Sequence, residues 1–499
     1  MLSILLFAAL SAGLSKAQDP DTRAWWVTTS ALSDDAMGGR DTGSGDYERA
    51  AKLVADRFAR AGLRPAGEGG PWFQRVPMAQ IKITSARFAV GGKPLRFLYD
   101  VTLAPSEVTP SVIDAPVAYR GYCGADTLGD VRGKLVICHG THGPGLPGDA
   151  ARTAALRAAG AAGLITIADP GFTVEPPRWP FAYARSVRLA SSPADRDLLL
   201  RLTLNAAALD PFLRGSGQSA AALIAAGSVG AALPNFDLPD RLQATLKIER
   251  RLISSPNVLG YLPGVDPQKT GQTIVLSAHL DGYGRGEPID GDNLYNGTLD
   301  DAAYVALLIQ LADRRHGHGF ARPVLFAAFT GEEKGLLGSR WYVAHPTLPK
   351  ASLAANINLD QLRPIFPLHL LTVHALDDTT LGDDVRAVAR PLHIAIQRDP
   401  EPERNLLRRA DHWPFLQAGI PATAFVFGYR PGTESERVYR HWYQTGYHRP
   451  QDDLKQPIDW QAATDFNRFF YALVARVADE KAAPAWKVAP SKYASRTLP

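Results

Sequence analysis

Two histidines and three acidic residues in the second half of the chain each sit in a distinct local frame: His279 in Ala-His-Leu-Asp, Asp300 in Leu-Asp-Asp, Glu333 in Thr-Gly-Glu-Glu, Asp360 in Asn-Leu-Asp and His448 in Tyr-His-Arg-Pro. Imidazole and carboxylate are the donors that borderline divalent ions such as zinc accept. A paired-ion site needs about three protein ligands per metal, with one carboxylate shared. This set meets that requirement, so the chemistry it suggests is two-metal hydrolysis.

The elements that must position these residues can be read from the surrounding pattern. After residue 251, short apolar strands at 273–278, 324–329, 354–359 and 423–427 alternate with helices predicted over 301–315 and 460–478. That alternation predicts an α/β fold with a mostly parallel central sheet and helices on both faces. Three of the frames begin where a strand stops: His279 after the first, Glu332-Glu333 after the second and Asp360 after the third. Carboxyl ends of parallel strands are where open α/β sheets place their sites, so position and residue type agree.

Local geometry adds detail. His279 and Asp281 are one residue apart, so in extended backbone they share a face, and Asp281 is expected to accept a hydrogen bond from the imidazole nitrogen turned away from the metal. A solvent-facing pair is the plainer alternative. Asp300-Asp301 lies in a Gly-containing loop that runs into a helix, where Asp301 could instead cap the helix. In Thr330-Gly-Glu-Glu-Lys-Gly-Leu-Leu-Gly-Ser339, two consecutive Glu leave a strand inside a Gly-rich frame, so one can bind metal while its neighbour faces water. Asp411 and His412 rank below the five ligands as pocket or supporting residues.

Elsewhere the chain supplies scaffold. A helix is predicted over 46–61, preceded by Gly38-Gly39-Arg40, read as a turn. From about 105 to 250 Ala becomes abundant and the acidic and His clusters vanish, marking a separate domain whose centre reads as strand, helix, strand. Cys123 and Cys138 are the only cysteines, and either a disulfide or two unpaired thiols fits them. The apolar run from Leu2 to Leu14, followed by Ser15-Lys16-Ala17, reads as a signal peptide, with a short membrane anchor as the alternative. Charged residues make up 21%, hydrophobic ones 45%, and the formal charge is +4 with Lys and Arg dispersed among Asp and Glu, which argues against nucleic-acid binding.

In this order, His-x-Asp, Asp-Asp, Gly-Glu-Glu-x-Gly-Leu-Leu-Gly-Ser, Asn-x-Asp and Tyr-His-x-Pro-x-Asp-Asp, the motifs resemble those of the co-catalytic zinc aminopeptidases of metallopeptidase family 28. The Gly-Lys-Leu-Val-Ile strand and the Ala-rich segment ending in Gly-Leu-Ile resemble the protease-associated domain found in several secreted peptidases. The resemblance implies a three-layer zinc-peptidase sandwich binding two zinc ions per chain. His279 and Asp360 would complete one shell, Glu333 and His448 the other, with Asp300 bridging. It further implies Glu332 as general base toward metal-bound water, Tyr447 as donor to the oxyanion, and a cis bond between Asp300 and Asp301. Two departures, Tyr304 for a Gly and Gln361 for a Met, bear on substrate preference rather than on the ligands.

The expected organisation is a signal peptide (1–17), a first part of the peptidase domain (18–105), a protease-associated insert (106–249), the main peptidase domain (250–484) and a loosely ordered tail (485–499). The expected activity is that of a secreted or periplasmic exopeptidase releasing N-terminal residues from peptide substrates, without stable membrane association once the signal is cleaved. A carboxypeptidase or dipeptidase on the same metal core, and a catalytically silent receptor-like homologue, are the alternatives.

Overall fold

A computed structural model of the chain describes residues 19–141, 143–168, 171, 175–194, 199–360 and 362–494. The signal-peptide reading of 1–17 and the departure at Gln361 fall outside the described residues. Two compact units are present. The first is drawn from Met1–Pro77, Ser254–Arg285 and Leu294–Pro499, the second from Met78–Ile253 and Gly286–Asn293.

In the first unit the sheet is built from the end of β1 (Asn235–Leu262), then β2 (Thr273–His279), β3 (Val324–Phe329), β4 (Leu353–Asn358), β5 (Leu370–Val373), β6 (Ala395–Gln397) and β7 (Ala422–Phe427). Their order is β6-β5-β7-β4-β2-β3-β1. β2 runs parallel to both β3 and β4, β4 runs parallel to β7 and β5 to β6, while β1 is antiparallel to β3 and β5 to β7. This is the mostly parallel sheet expected from sequence. The chain crosses from β2 to β3 on one side and then returns past β2 to β4 on the other. The winding therefore reverses at β2, the position where open α/β sheets leave a crevice at their carboxyl ends.

Alternation along β2 explains the layers. Ile274, Leu276 and Ala278 join the apolar cluster that contains Trp25 of α1 (Pro20–Ser33), Val54 and Phe58 of α2 (Gly45–Arg60), Leu307 of α3 (Ala303–Arg315) and Phe470 of the long helix Trp460–Asp479. Val275 turns to the other face, against Tyr342 of α4 (Leu337–Ala344) and Phe415 of the helix His412–Gln417. Each fully buried side chain of this kind contributes about 1.5–3 kcal/mol. The helix predicted at 46–61 is α2, capped by Ser44, whose side chain accepts from the Tyr47 N–H at 3.1 Å.

The tail departs from expectation. Residues 485–494 are packed rather than loose: Tyr493 is buried, its ring 5.4 Å from that of Trp486 and 5.9 Å from that of Trp413, and the Trp486 indole donates to the Gly419 carbonyl at 2.8 Å. Two aromatic anchors, Trp486 and Tyr493, order this stretch.

The second unit has its own parallel core, with Val112–Arg120, Leu135–His139, Gly163–Ile167 and Leu200–Leu204 side by side and the helix Asp149–Ala158 between the second and third. Its start lies at Met78, within the continuous strand Phe73–Val90 and ahead of the sequence-based boundary at 106. Cys123 and Cys138 are joined by a disulfide, which settles the alternative left open by the sequence.

Candidate metal centre

Every acidic and His ligand expected from sequence converges at the carboxyl ends of β2, β3 and β4. His279 is the last residue of β2 and 1% exposed. Its Nδ1 lies 3.0 Å from the Asp281 backbone carbonyl, an oxygen that can only accept, so the proton is on Nδ1 and the Nε2 lone pair faces the site. Nε2 is 3.2 Å from Asp300 Oδ1 and 3.9 Å from Glu332 Oε2.

This corrects the expectation for Asp281. Its carboxylate is 3.8 Å from the imidazole and is engaged elsewhere: Oδ1 accepts the Glu332 N–H at 3.0 Å and Oδ2 accepts the Thr42 hydroxyl at 2.9 Å. Asp281 therefore orients His279 through its main chain and Glu332 through its side chain. The residue was legible; which of its oxygens faces the ring depends on how the backbone turns after β2.

Asp300 stands in the wide turn Thr298–Ala302, and its peptide bond to Asp301 is cis. Asp452 holds that turn, its two oxygens accepting the N–H groups of Leu299 at 2.9 Å and Asp300 at 3.0 Å. The Asp300 carboxylate points one oxygen at each histidine: Oδ1 toward His279, and Oδ2 to 3.3 Å from His448 Nε2. Asp301 does not cap α3; it accepts the His279 N–H at 3.0 Å. His448, at a left-handed backbone position, also sits 3.2 Å from Glu333 Oε2.

Ligand atoms of His279, Asp300 and Asp360 lie within 4.8 Å of one another, and so do those of Asp300, Glu333 and His448. Two triads thus share Asp300, the arrangement implied by the family resemblance, and ligand atoms of His279, Glu332 and Glu333 lie within the same distance of one another. Tyr447 is buried beside His448, and its hydroxyl accepts from Arg409 at 3.1 Å. Tyr304 lies in the core of α3, edge-on to Phe466 at 6.0 Å.

The electrostatics of the pocket suit a cation. Burial pushes Glu332 well above the usual carboxyl range, with Asp360 and Glu333 adding to the shift; burial and then Asp300 push Glu333 up to about 8. Burial works against the charge on His279, yet Asp301 and Glu332 raise its pKa well above the ordinary value. A field that draws a proton onto His279 also draws a metal ion to the same lone pair. For Asp300 burial is outweighed by Arg363, whose Nη2 is 3.5 Å away, with His279 and His448 assisting, and its carboxyl is held well below the usual range. The shared ligand is thereby the one kept ionised. Oxygen and imidazole donors in two overlapping triads, surrounded by carboxyls that burial disfavours as anions, fit two zinc ions.

Sequence reasoning missed several contributors. Arg363, Tyr283 and Arg40 are recognised only through contacts with residues far along the chain. Arg40, fully buried, donates to the carbonyls of Leu280 at 2.9 Å, Leu32 at 2.8 Å, Asn296 at 2.7 Å and Gly297 at 2.8 Å. It thereby pins the segment after His279 to the loop before Asp300. Asp452 carried a signal, its place in the Tyr447-to-Asp453 motif.

Comparison with known proteins agrees with this geometry. Residues 257–474, which contain all five ligands, match peptidase family M28. Leupeptin-inactivating enzyme 1 of Streptomyces exfoliatus is 26% identical over 173 residues, covering 34% of this chain and 36% of that one. The aminopeptidase YwaD of Bacillus subtilis is 26% identical over 162 residues, covering 32% and 33%. The chain thus spans about a third of the length of these curated relatives. An aminopeptidase from Aneurinibacillus sp. strain AM-1 has the same fold, with a TM-score of 0.60 over 93% of this chain and 95% of that one at 18% identity. Motif order, sheet topology and these matches coincide over one stretch, residues 257–474, which is similar to peptidase family M28.

Proposed function

We propose that this chain is a secreted two-zinc exopeptidase that releases N-terminal residues from peptides. The observation that carries the reading is Asp300, whose two oxygens face His279 and His448 at 3.2 and 3.3 Å from the centre of two ligand triads. The family match and relatives described as aminopeptidases support it. A catalytically silent receptor-like role is disfavoured because the whole ligand set and the base are present.

His279 and Asp360 would hold one ion, Glu333 and His448 the other, and Asp300 both. Zinc bound there would polarise the scissile carbonyl and bring the pKa of the attacking water toward ~7. Glu332, in the same pocket and fixed through its N–H by Asp281, takes the proton from that water and returns it to the leaving amine. Its burial raises its affinity for that proton during the transfer. Arg409 donates to the Tyr447 oxygen, which strengthens the Tyr447 O–H as a donor toward the developing oxyanion.

The second unit is assigned as a protease-associated domain over about 106–249, limiting the size of peptide that reaches the site. The Cys123–Cys138 disulfide suits an oxidising, exported location, and among the described residues no helix is long and apolar enough to cross a membrane.

Glu332→Gln tests the mechanism: the variant keeps its zinc and loses amino-acid anilide hydrolysis by about 10²–10⁴-fold or more. Full activity in that variant would overturn the assignment of the base. Peptides blocked at one end or the other decide direction; cleavage of an N-terminally blocked peptide but not of a C-terminally blocked one would make the enzyme a carboxypeptidase.

A further inference from the structure

The two histidines of the site are oriented by different means. His279 Nδ1 is held by a backbone carbonyl, which no substitution removes. His448 Nδ1 lies 3.0 Å from the hydroxyl of Tyr283, 165 residues away in sequence, and the two rings are 4.6 Å apart.

Tyr283 is itself held in place. It sits between Gly282 and Gly284, and Gly282 forms a β-bridge with Asp41 while its N–H donates to the Arg40 carbonyl at 3.1 Å. Gly284 has φ 70°, and a Cβ there would lie 2.6 Å from Asp41 Cβ, so only glycine allows this approach. On the ring itself stands Lys334, its Nζ 4.5 Å from the centroid and 3.5 Å from Asp41 Oδ1. Lys334 follows Glu333 directly, so one Gly-rich frame supplies both a metal ligand and the cation that fixes Tyr283. The turn at Gly38-Gly39-Arg40-Asp41, whose Arg40 already pins the segment after His279, thereby gains a second role through Asp41.

We infer that Tyr283 is a positioning residue for the His448 half of the site: its hydroxyl accepts the Nδ1 proton, fixing the tautomer that turns the Nε2 lone pair toward Asp300 and Glu333. The inference rests on the two-metal reading. A neutral imidazole has one N–H and one lone pair, and a metal on Nε2 requires the proton on Nδ1, where it needs an acceptor. The two ion positions therefore differ. The His279 position, buried and held by main chain, is the tighter; the His448 position, with its side chain 14% exposed and its Nδ1 facing a side-chain hydroxyl, is the more easily exchanged.

Tyr283→Phe keeps the ring between Lys334 and His448 and removes only the hydroxyl. The test is zinc titration of the metal-free full chain against a competing chromophoric chelator, for wild type and variant, together with melting of both metal-free proteins. The expected result is two ions in wild type, and in the variant one affinity retained and the other lowered about 10–100-fold, with metal-free melting unchanged. Anomalous scattering from the variant at limiting zinc should show the ion beside His448 as the depleted one. Two ions at wild-type affinity in Tyr283→Phe overturn the inference. Equal weakening of both also overturns it, by showing a general structural effect. Fewer than two ions in wild type overturns the two-metal reading itself, a result distinct from either.

Discussion

The two compact units bury charge in different ways. In the first, Asp281, Asp300, Asp301, Glu332, Asp360, Asp411 and Asp452 are all buried, outnumbering the buried Arg40, Arg322, Arg363 and Arg404. In the second, the buried charged side chains among the described residues include Arg120 and Arg152, and each reaches a surface carboxylate as well as main-chain carbonyls: Arg120 to Asp237 at 2.5 Å, Arg152 to Asp149 at 2.6 Å. The second unit is built for stability, with a closed apolar cluster and a covalent link. The first tolerates a concentration of acid that burial disfavours, which a fold retains where function requires it. The contrast locates the chemistry without reference to any motif.

Metal should sharpen that contrast most. Zinc at a thousand times its dissociation constant stabilises by ~4 kcal/mol, and hydrogen exchange should show the added protection in peptides from 257–285 and 294–474 and not in those of the second unit. The pH dependence has a definite sign. Burial pushes Asp452 up to about 6, Asp411 to about 7 and Glu333 to about 8. Unfolded carboxyls titrate near ~4, so below that pH both states hold these protons; as pH rises from ~4 toward 8 the unfolded chain releases them first. Chelated protein should therefore lose melting temperature in the peptidase unit over that range, and zinc-loaded protein much less. A metal-free unit that gains stability across the same interval would contradict the burial of uncompensated acid.

The smaller effect belongs to the other unit. Replacing Cys123 and Cys138 with Ser removes a link spanning 15 residues, worth about 3 kcal/mol. Exchange should rise in the strands Val112–Arg120 and Leu135–His139, while zinc affinity stays at the wild-type value. A fall in zinc affinity would break the separation between a stabilising unit and a chemical one.

Much of the site was legible because its signals are local. A strand end followed at once by His, Glu-Glu or Asp needs only short-range pattern to be read, and β2, β3 and β4 end within a residue of their predicted limits. What escaped depends on contacts across long stretches of chain. Arg40 meets Leu280 across 240 residues and Tyr283 meets His448 across 165, and nothing near either residue announces the partner. The Asp281 carboxylate was misassigned because one backbone turn decides whether its main chain or its side chain faces the imidazole. The strands Leu370–Val373 and Ala395–Gln397 are too short for period to reveal, and the tail after Pro484 is ordered by two aromatic anchors that no periodic pattern announces.

The central claim is that Asp300 joins two metal positions. Anomalous scattering at the zinc edge from crystals of the zinc-loaded full chain tests it directly. Two peaks are predicted, one against His279 and Asp360, the other against Glu333 and His448, with a different Asp300 oxygen on each. A single peak, or zinc held without Asp300, would contradict it.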